Sequence, residues 1–184
     1  MRLVLGPTDR ELVARVVVDD DRHAFATLVR RHQAPVRAFA GRLTCGDRGL
    51  ADDVAQQTFV LAWKSLATYR ADGELRSWLL KLTYRAFLTD ARRAHKKRET
   101  SDDAAVDAAA VAGAVDDARR DVARAMATLR EEERAALALC FQEGMTHDEA
   151  AVVLEMPLGT LKSHVARGKE KLRVLLAAYK TEAA

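Results

Sequence analysis

The chain has 184 residues, 49% of them apolar, and a formal net charge of +3. This apolar share supports a packed core and excludes an intrinsically disordered protein. No run approaches the ~20 apolar residues that span a bilayer, and the N-terminal apolar stretch is too short for a signal peptide, so we expect a cytoplasmic protein without membrane insertion. Aromatic residues reach only 5%, while alanine and leucine dominate. This composition predicts an all-α fold.

Helix-capping signals are legible in the first half of the chain. Thr8 and Glu11 have the spacing of a capping box, which predicts a helix start there. The three aspartates at 19–21 offer a second N-cap. Pro35 is expected to end that second helix and to open another one that runs to about Leu43.

A longer helix is predicted after two glycines, Gly46 and Gly49, which break the chain. Its apolar residues recur at helical spacing, namely Ala55, Phe59, Ala62 and Leu66. After a turn over residues 69–74, the apolar pattern restarts at Leu75 and ends in a basic cluster. These elements form one helical module that ends near residue 98.

The charge of the chain changes sign near residue 98. Residues 70–98 contain nine lysines and arginines against three acidic residues, and such a segment favours a polyanionic partner. Residues 99–118 contain six acidic residues and no lysine or arginine. Because the apolar residues of this stretch are small, it buries little surface, and we predict a flexible acidic linker over 99–117.

The last third of the chain begins with two short apolar stripes: Val122, Met126 and Leu129, and then Leu137, Cys140 and Phe141 on a helix that ends at Gly144. Thr146 and Glu149 form another capping box, which opens a short helix. A turn at 155–157 follows. After it, apolar residues at steps of three and four mark one face of a helix and cationic residues mark the others. This is the pattern of a helix-turn-helix with a recognition helix for the DNA major groove.

Both halves carry motifs of a known family. They are AF at 24–25, ADDVAQQTF at 51–59, AW at 62–63, LRSWL at 75–79, LREEER at 129–134, GMTHDEAA at 144–151 and PLGTLKS at 157–163. Through them the chain resembles the extracytoplasmic-function (group 4) sigma factors of bacterial RNA polymerase over nearly its whole length. The resemblance implies a region 2 domain at 1–98, which binds core polymerase and recognises and melts the minus-ten element. It also implies a region 4 helix-turn-helix domain at 118–184, which reads the minus-thirty-five element.

The resemblance further implies partners and three sets of contact residues. The partners are promoter DNA and core polymerase, through its β′ and β subunits, and the family commonly has an anti-sigma factor as well. Core polymerase is expected to contact Asp52, Asp53, Gln56, Gln57, Phe59 and Trp63. The minus-ten element is expected to contact Tyr69, Arg70, Arg76, Lys81, Tyr84, Arg85, Arg92 and Arg93. The minus-thirty-five element is expected to contact Thr160, Lys162, Ser163, His164, Ala166, Arg167 and Lys171.

The sequence departs from the family pattern on the surface expected to bind the polymerase. Leu50 stands where an acidic residue is usual, and Gln57 stands where the family usually has Glu. This surface is therefore less negative. Phosphorylation of Thr58 is one hypothesis for restoring charge, since a phosphate adds about −1.5 to −2 at pH 7. On this hypothesis a Thr58→Glu variant binds core polymerase more tightly.

Base preference cannot be carried over from the family at two places. In the minus-ten helix the usual Arg-Asn reads Tyr84-Arg85, and Thr89 stands where an aspartate is common. In the recognition helix His164 replaces a frequent arginine.

Two other specific classes of protein compete with this interpretation, and a nonspecific nucleic-acid or protein-interaction module is a further alternative. A LuxR-type transcriptional regulator has a run similar to TLKSH at 160–164, but this similarity explains only the C-terminal third of the chain. Such a regulator usually carries a sensor domain of alternating strands and helices, and this sequence shows no such alternation. An enzyme built on Cys45 or Cys140 has no oriented base and no glycine-rich phosphate loop in its favour. The two thiols are instead expected to be buried, and the five scattered histidines lack zinc-site spacing. We therefore predict no cofactor, no metal and no enzymatic activity.

Overall fold

The computed structural model of the chain describes residues 6–71, 73–100 and 124–182, and its side-chain description covers 6–71, 73–93 and 124–177. No strand occurs in these ranges, and the all-α prediction is confirmed. The helices are α1 (Asp9–Asp19), α2 (Arg22–Leu43), α3 (Arg48–Ser65), α4 (Leu75–Thr100), α5 (Glu131–Leu137), α6 (His147–Leu154) and α7 (Leu158–Glu182). Residues 101–117 of the predicted linker lie outside the described residues, while 99 and 100 form the end of α4. Val122 of the predicted apolar stripe also lies outside them.

Three predicted N-caps form as their side chains require. Thr8 and Glu11 exchange hydrogen bonds at the start of α1, and the Thr8 amide donates to the Glu11 carboxylate at 2.7 Å. Asp21 caps α2 by accepting from the Ala24 amide at 2.9 Å. Thr146 begins α6 with a second reciprocal capping box. Each cap satisfies backbone donors that the first turn of a helix leaves without partners.

The predicted break at Pro35 is wrong, because α2 continues through it from Arg22 to Leu43. A proline inside a helix removes one backbone hydrogen bond. Here the apolar residues on both sides of it are buried in the core, among them Leu28, Val36 and Phe39. Their burial outweighs the lost bond and keeps the two segments in one helix.

The helix predicted before Gly144 is irregular, and its third apolar residue is misassigned. After α5 the backbone forms a π-helical turn over Ala138–Gln142, and the chain then reverses at Gly144 with a φ of +73°. Phe141 lies on this turn with 60% of its surface exposed, so it is not part of the core. Lys169 covers its ring, with the ammonium 5.3 Å from the ring centroid.

Two apolar clusters hold the described helices together. One lies among α1, α2, α3 and the first part of α4, around Leu12, Leu28 and Leu79. The other runs without interruption from α2 and α4 into α5, α6 and α7, and it includes both Phe39 and Leu161. In agreement with this, α4 packs on α6 and α2 packs on α5. The N-terminal and C-terminal helices therefore share one core in this closed arrangement, which the sequence did not predict.

Candidate polymerase and nucleic-acid interface

A groove of about 620 Å³ runs between α2 and α3 on the surface expected to bind core polymerase. Five of the six predicted residues line it: Asp52, Asp53, Gln56, Phe59 and Trp63. The opposite wall was not predictable from the sequence; α2 supplies it with Phe25, Val29, Gln33 and Arg37. The floor is aromatic, since the rings of Phe25 and Trp63 meet edge to face with centroids 4.9 Å apart. The groove thus joins an apolar floor to a rim of acidic and amide side chains.

Charge on this rim is partly compensated, and the sixth predicted residue lies elsewhere. The Arg37 guanidinium lies 3.4 Å from the Asp52 carboxylate, so Asp53 supplies the acidic group of the rim without such a partner among the described ion pairs. Gln57 does not line the groove. It borders an adjoining depression beside Asp90 and Arg93, which shares Asp53 and Gln56 with the groove.

Thr58 is an unsuitable phosphorylation site in this fold. Its side chain is fully buried, and its hydroxyl donates to the Val54 carbonyl at 2.8 Å. A kinase needs that hydroxyl exposed, and a phosphate has no space in a packed helix interface. The phosphorylation hypothesis is therefore wrong for the folded chain.

The turn predicted to contact the minus-ten element presents one aromatic residue and one arginine. Tyr69 is half-buried, with its hydroxyl donating to the Gly73 carbonyl at 2.6 Å and its ring 5.5 Å from that of Trp78. Trp78 packs against the N-terminal core. Arg70 is exposed beside it.

Three cations predicted to contact the minus-ten element are instead paired with carboxylates of the C-terminal half. Arg85 donates to both oxygens of Glu155, from Nε at 2.7 Å and from a terminal nitrogen at 2.6 Å. Lys81 lies 3.1 Å from the same carboxylate. Arg76 pairs with Glu143. In the closed arrangement these cations are therefore not free to bind DNA.

The remaining minus-ten candidates fall into two groups. Tyr84 is buried, with 5% of its surface exposed, and it belongs to the cluster shared by the two halves. Burial, followed by the nearby charges of Glu132 and Glu131, raises the pKa of Tyr84 to about 12. Arg92 and Arg93 are exposed farther along α4. Tyr84 is accordingly a core residue here, whereas the two arginines remain accessible.

The recognition helix α7 begins after the predicted turn. Glu155 has a φ of +54° and ends α6, and α7 opens at Leu158. Leu161 and Val165 are buried on its inner face. Six of the seven predicted minus-thirty-five residues are exposed: Thr160, Lys162, Ser163, Ala166, Arg167 and Lys171. His164 is half-buried, and its Nδ1 lies 3.2 Å from the Arg167 guanidinium.

A buried carboxylate on α5 anchors the middle of α7. Glu133 has 1% of its side chain exposed and accepts a hydrogen bond from Lys171 at 2.7 Å, with Arg167 at 3.6 Å. Burial disfavours the ionised form, but the hydrogen bonds from Lys171 and from the Arg130 amide outweigh it and hold the pKa of Glu133 below its usual value. The two helices pack closely at Gly168 because glycine has no Cβ. A Cβ at this position would lie only 2.9 Å from the Leu137 side chain. Lys171 and Arg167 therefore position the helix as well as carrying charge.

Both cysteines are poor nucleophiles in this environment. Cys45 and Cys140 are free and half-buried. Burial raises the pKa of both thiols, and Arg134 opposes this only in part at Cys45. Since the thiolate is the reactive form, neither residue has the activated environment of a catalytic cysteine.

Comparison with known proteins decides the family. Residues 28–98 match the family described as Sigma-70 region 2, and residues 119–172 match Sigma-70, region 4. An ECF RNA polymerase sigma factor SigK of a Mycobacterium species (strain KMS) is 30% identical over 181 residues, which cover 94% of this chain and 93% of that protein. The chain belongs to the ECF RNA polymerase sigma factors. It is therefore a factor that directs promoter-specific transcription initiation, and the LuxR-type alternative is wrong.

Two further relatives agree with this assignment. SigE of Mycolicibacterium smegmatis is 33% identical over 164 residues, which cover 85% of this sigma factor and 63% of that protein's length. The sigma factor RpoE of Bartonella quintana, solved in complex with the anti-sigma factor NepR, has a TM-score of 0.73 and 25% identity. That match covers 83% of this chain and 96% of the solved one. Sigma factors as a class recognise DNA and are not enzymes.

A search of the described helices for a membrane-spanning segment found none that is both long and apolar enough.

Proposed function

We propose that the two halves of this sigma factor divide promoter recognition between them. Residues 1–98 bind core polymerase and the minus-ten element, and residues 118–184 bind the minus-thirty-five element, with 99–117 joining them. The observation that carries this proposal is the groove between α2 and α3, which combines the Phe25 and Trp63 floor with the Asp53 rim. A β′ helix with an apolar stripe and flanking cations is a complementary partner for such a groove.

The recognition helix supports the DNA half of the proposal. Lys162, Ser163 and Ala166 are exposed on the side of α7 away from buried Leu161 and Val165. A helix with a packed inner face and a short, polar outer face fits the major groove, where side chains reach base edges and phosphates. Thr160 and His164 complete the proposed contact set near the N-terminal end of α7, with Arg167 and Lys171 flanking it.

The minus-ten half uses the surface of α4 and the turn before it. Tyr69 and Arg70 lie beside an accessible turn, and Arg92 and Arg93 extend the cationic surface along α4. Aromatic rings stack on unpaired bases and arginines neutralise phosphates, as melting of the minus-ten element requires. Arg76, Lys81, Tyr84 and Arg85 join this surface when the C-terminal helices move away.

Partners and setting follow from the same proposal. The chain acts in the cytoplasm, where polymerase and DNA are found, and it contributes no catalytic residue of its own. An anti-sigma factor is a further expected partner, since the solved RpoE of Bartonella quintana was captured with one.

Transcription with purified core polymerase tests the proposed function. Core enzyme with the chain is expected to initiate on genomic DNA fragments at discrete start sites that are absent with core alone, as mapped by sequencing RNA 5′ ends. No chain-dependent start site would refute the proposal.

A matched pair of variants tests the core-binding groove. Asp53→Lys reverses charge on the rim and is expected to weaken core binding at least tenfold, equivalent to about 1.4 kcal/mol. Glu170→Lys makes the same change in net charge at an exposed position of α7 outside the groove and is expected to change the affinity for core polymerase less than about twofold. Fluorescence titration of labelled chain with core polymerase measures both. Equal losses would remove the groove as the docking site.

A further inference from the structure

A charge contact between the two halves lies where promoter phosphates are expected. The Glu155 carboxylate receives a two-pronged pair of hydrogen bonds from Arg85, at 2.6 and 2.7 Å, and a third cationic contact from Lys81 at 3.1 Å. Arginine offers the same fork of donors to a phosphate. The carboxylate therefore takes up hydrogen-bond donors of α4 that a DNA phosphate would otherwise use.

Glu155 is suited to this competition by its place and its ionisation. It ends α6 in the turn of the helix-turn-helix, so its carboxylate belongs to the DNA-reading half of the protein. The Arg85 hydrogen bonds lower the pKa of Glu155 to about 2, although partial burial opposes the shift. The group is thus negatively charged across the physiological pH range.

A second carboxylate strengthens the same interface. Glu143, with 4% of its side chain exposed, lies between Arg42 of α2 and Arg76 of α4 and contacts both. Arg76 also donates to the Glu143 carbonyl at 3.5 Å. A buried carboxylate with two guanidinium partners is costly to separate, because opening leaves each charge to be solvated anew.

We propose that Glu155 is a built-in competitor of promoter DNA, which occupies Lys81 and Arg85 and keeps the minus-ten surface of the free factor closed. Glu143 holds the halves in register while it does so. Binding to core polymerase separates the halves and exchanges the carboxylate for phosphates. This inference rests on the proposed assignment of α4 to the minus-ten element.

Free-chain DNA binding measures the competition directly. Glu155→Gln keeps the size of the side chain and removes its charge, so the full-length variant is expected to bind fluorescein-labelled oligo-dT about fivefold more tightly than wild type at low salt. The probe tests phosphate binding and does not depend on promoter sequence. Anisotropy gives the dissociation constants, and circular dichroism verifies that the variant is folded.

Glu170→Gln is the matched control. Glu170 is exposed on α7 and pairs only with Arg173 one turn away among the described ion pairs, so its substitution makes the same change in net charge without freeing a cation of α4. This control is expected to change the dissociation constant for oligo-dT less than about twofold. Equal gains from Glu155→Gln and Glu170→Gln would overturn the proposal.

A second background separates competition from simple repulsion. In a chain that carries Lys81→Ala and Arg85→Ala, Glu155→Gln is expected to give no gain beyond that of Glu170→Gln. A gain that persists would mean that Glu155 repels DNA from the recognition helix itself, and the competition would be refuted.

The two proposals fail separately. If wild type directs no start site with core polymerase, the proposed function is wrong whatever Glu155 does. If wild type transcribes but Glu155→Gln matches its control, only the competition is wrong.

Discussion

The contact between Glu133 and Lys171 gives a quantitative test of how the recognition helix is held. Glu133→Gln preserves the shape of a side chain that is 1% exposed and can still accept from Lys171, but it removes the charge. Lys171 and Arg167 then lose their buried counter-charge. We expect the C-terminal helices to be destabilised without loss of the fold.

The magnitude follows from burial on the two sides of the pair. A hydrogen bond to a charged group contributes about 1.5–3 kcal/mol, and removing one partner of a fully buried pair costs about 3–5 kcal/mol. Here only the Glu133 carboxylate is buried, since the side chains of Lys171 and Arg167 are 43% and 55% exposed. Water can therefore solvate both cations when the charge of Glu133 is removed. The retained amide acceptor reduces the loss further. The expected change in the free energy of unfolding is about 1–2 kcal/mol at pH 7.

Urea unfolding followed by circular dichroism measures this change. Since the folded state lowers the pKa of Glu133, its contribution is fully present above the usual value of 4.5 and is lost as the pH falls through the lowered one. The gap between wild type and variant should therefore narrow below pH 4.5. Glu170→Gln, at an exposed intrahelical pair, should change the urea midpoint much less than Glu133→Gln does at any pH. Equal effects of the two variants, or a gap independent of pH, would refute the reasoning.

Two further predictions concern the polymerase and DNA surfaces. Thr58→Glu places a carboxylate at a fully buried position and should lower the free energy of unfolding by about 3 kcal/mol or more. Gln57→Glu, at a half-buried position, should leave the free energy of unfolding in urea within about 0.5 kcal/mol of wild type. A stable Thr58→Glu chain with tighter core binding would contradict this. Lys162→Ala should reduce the slope of log affinity against log salt by about 1 for promoter binding by the holoenzyme, and Arg167→Ala should reduce it less because Glu133 shares that guanidinium. Equal slopes in a salt titration of anisotropy would contradict this ranking.

Features that depend on near neighbours were predictable from the sequence. The caps at Thr8 and Thr146 need only a residue three positions away, and the turn at 155–157 is marked by its own proline. The buried faces of α3, α4 and α7 follow from spacings of three and four. Local geometry determines each of these elements, so a pattern of residue types suffices to find it.

Features that depend on distant packing were not predictable. Pro35 carries a breaking signal, but burial on both sides of it keeps α2 intact. The Arg85–Glu155 pair joins residues 70 positions apart. The sequence around each of them indicates only an ordinary surface charge. The same holds for Glu133. It is one of three successive glutamates that mark the start of α5, and the sequence does not show that it is the buried one. The burial of Tyr84 in the closed arrangement is a similar case, because it depends on helices of the other half.

The composition of the interface between the halves constrains how the factor opens. Salt screens the Glu155 contacts, since the Debye length is about 8 Å at physiological ionic strength, but it weakens phosphate binding by the same cations. Added salt alone therefore does not free the minus-ten surface to bind DNA. The shared cluster around Tyr84 and Phe87 is insensitive to screening and loses its cover when the halves separate. A ligand that opens the chain must bind the open form more tightly than the closed one. A large protein surface such as that of core polymerase supplies this difference in affinity, whereas DNA phosphates do not.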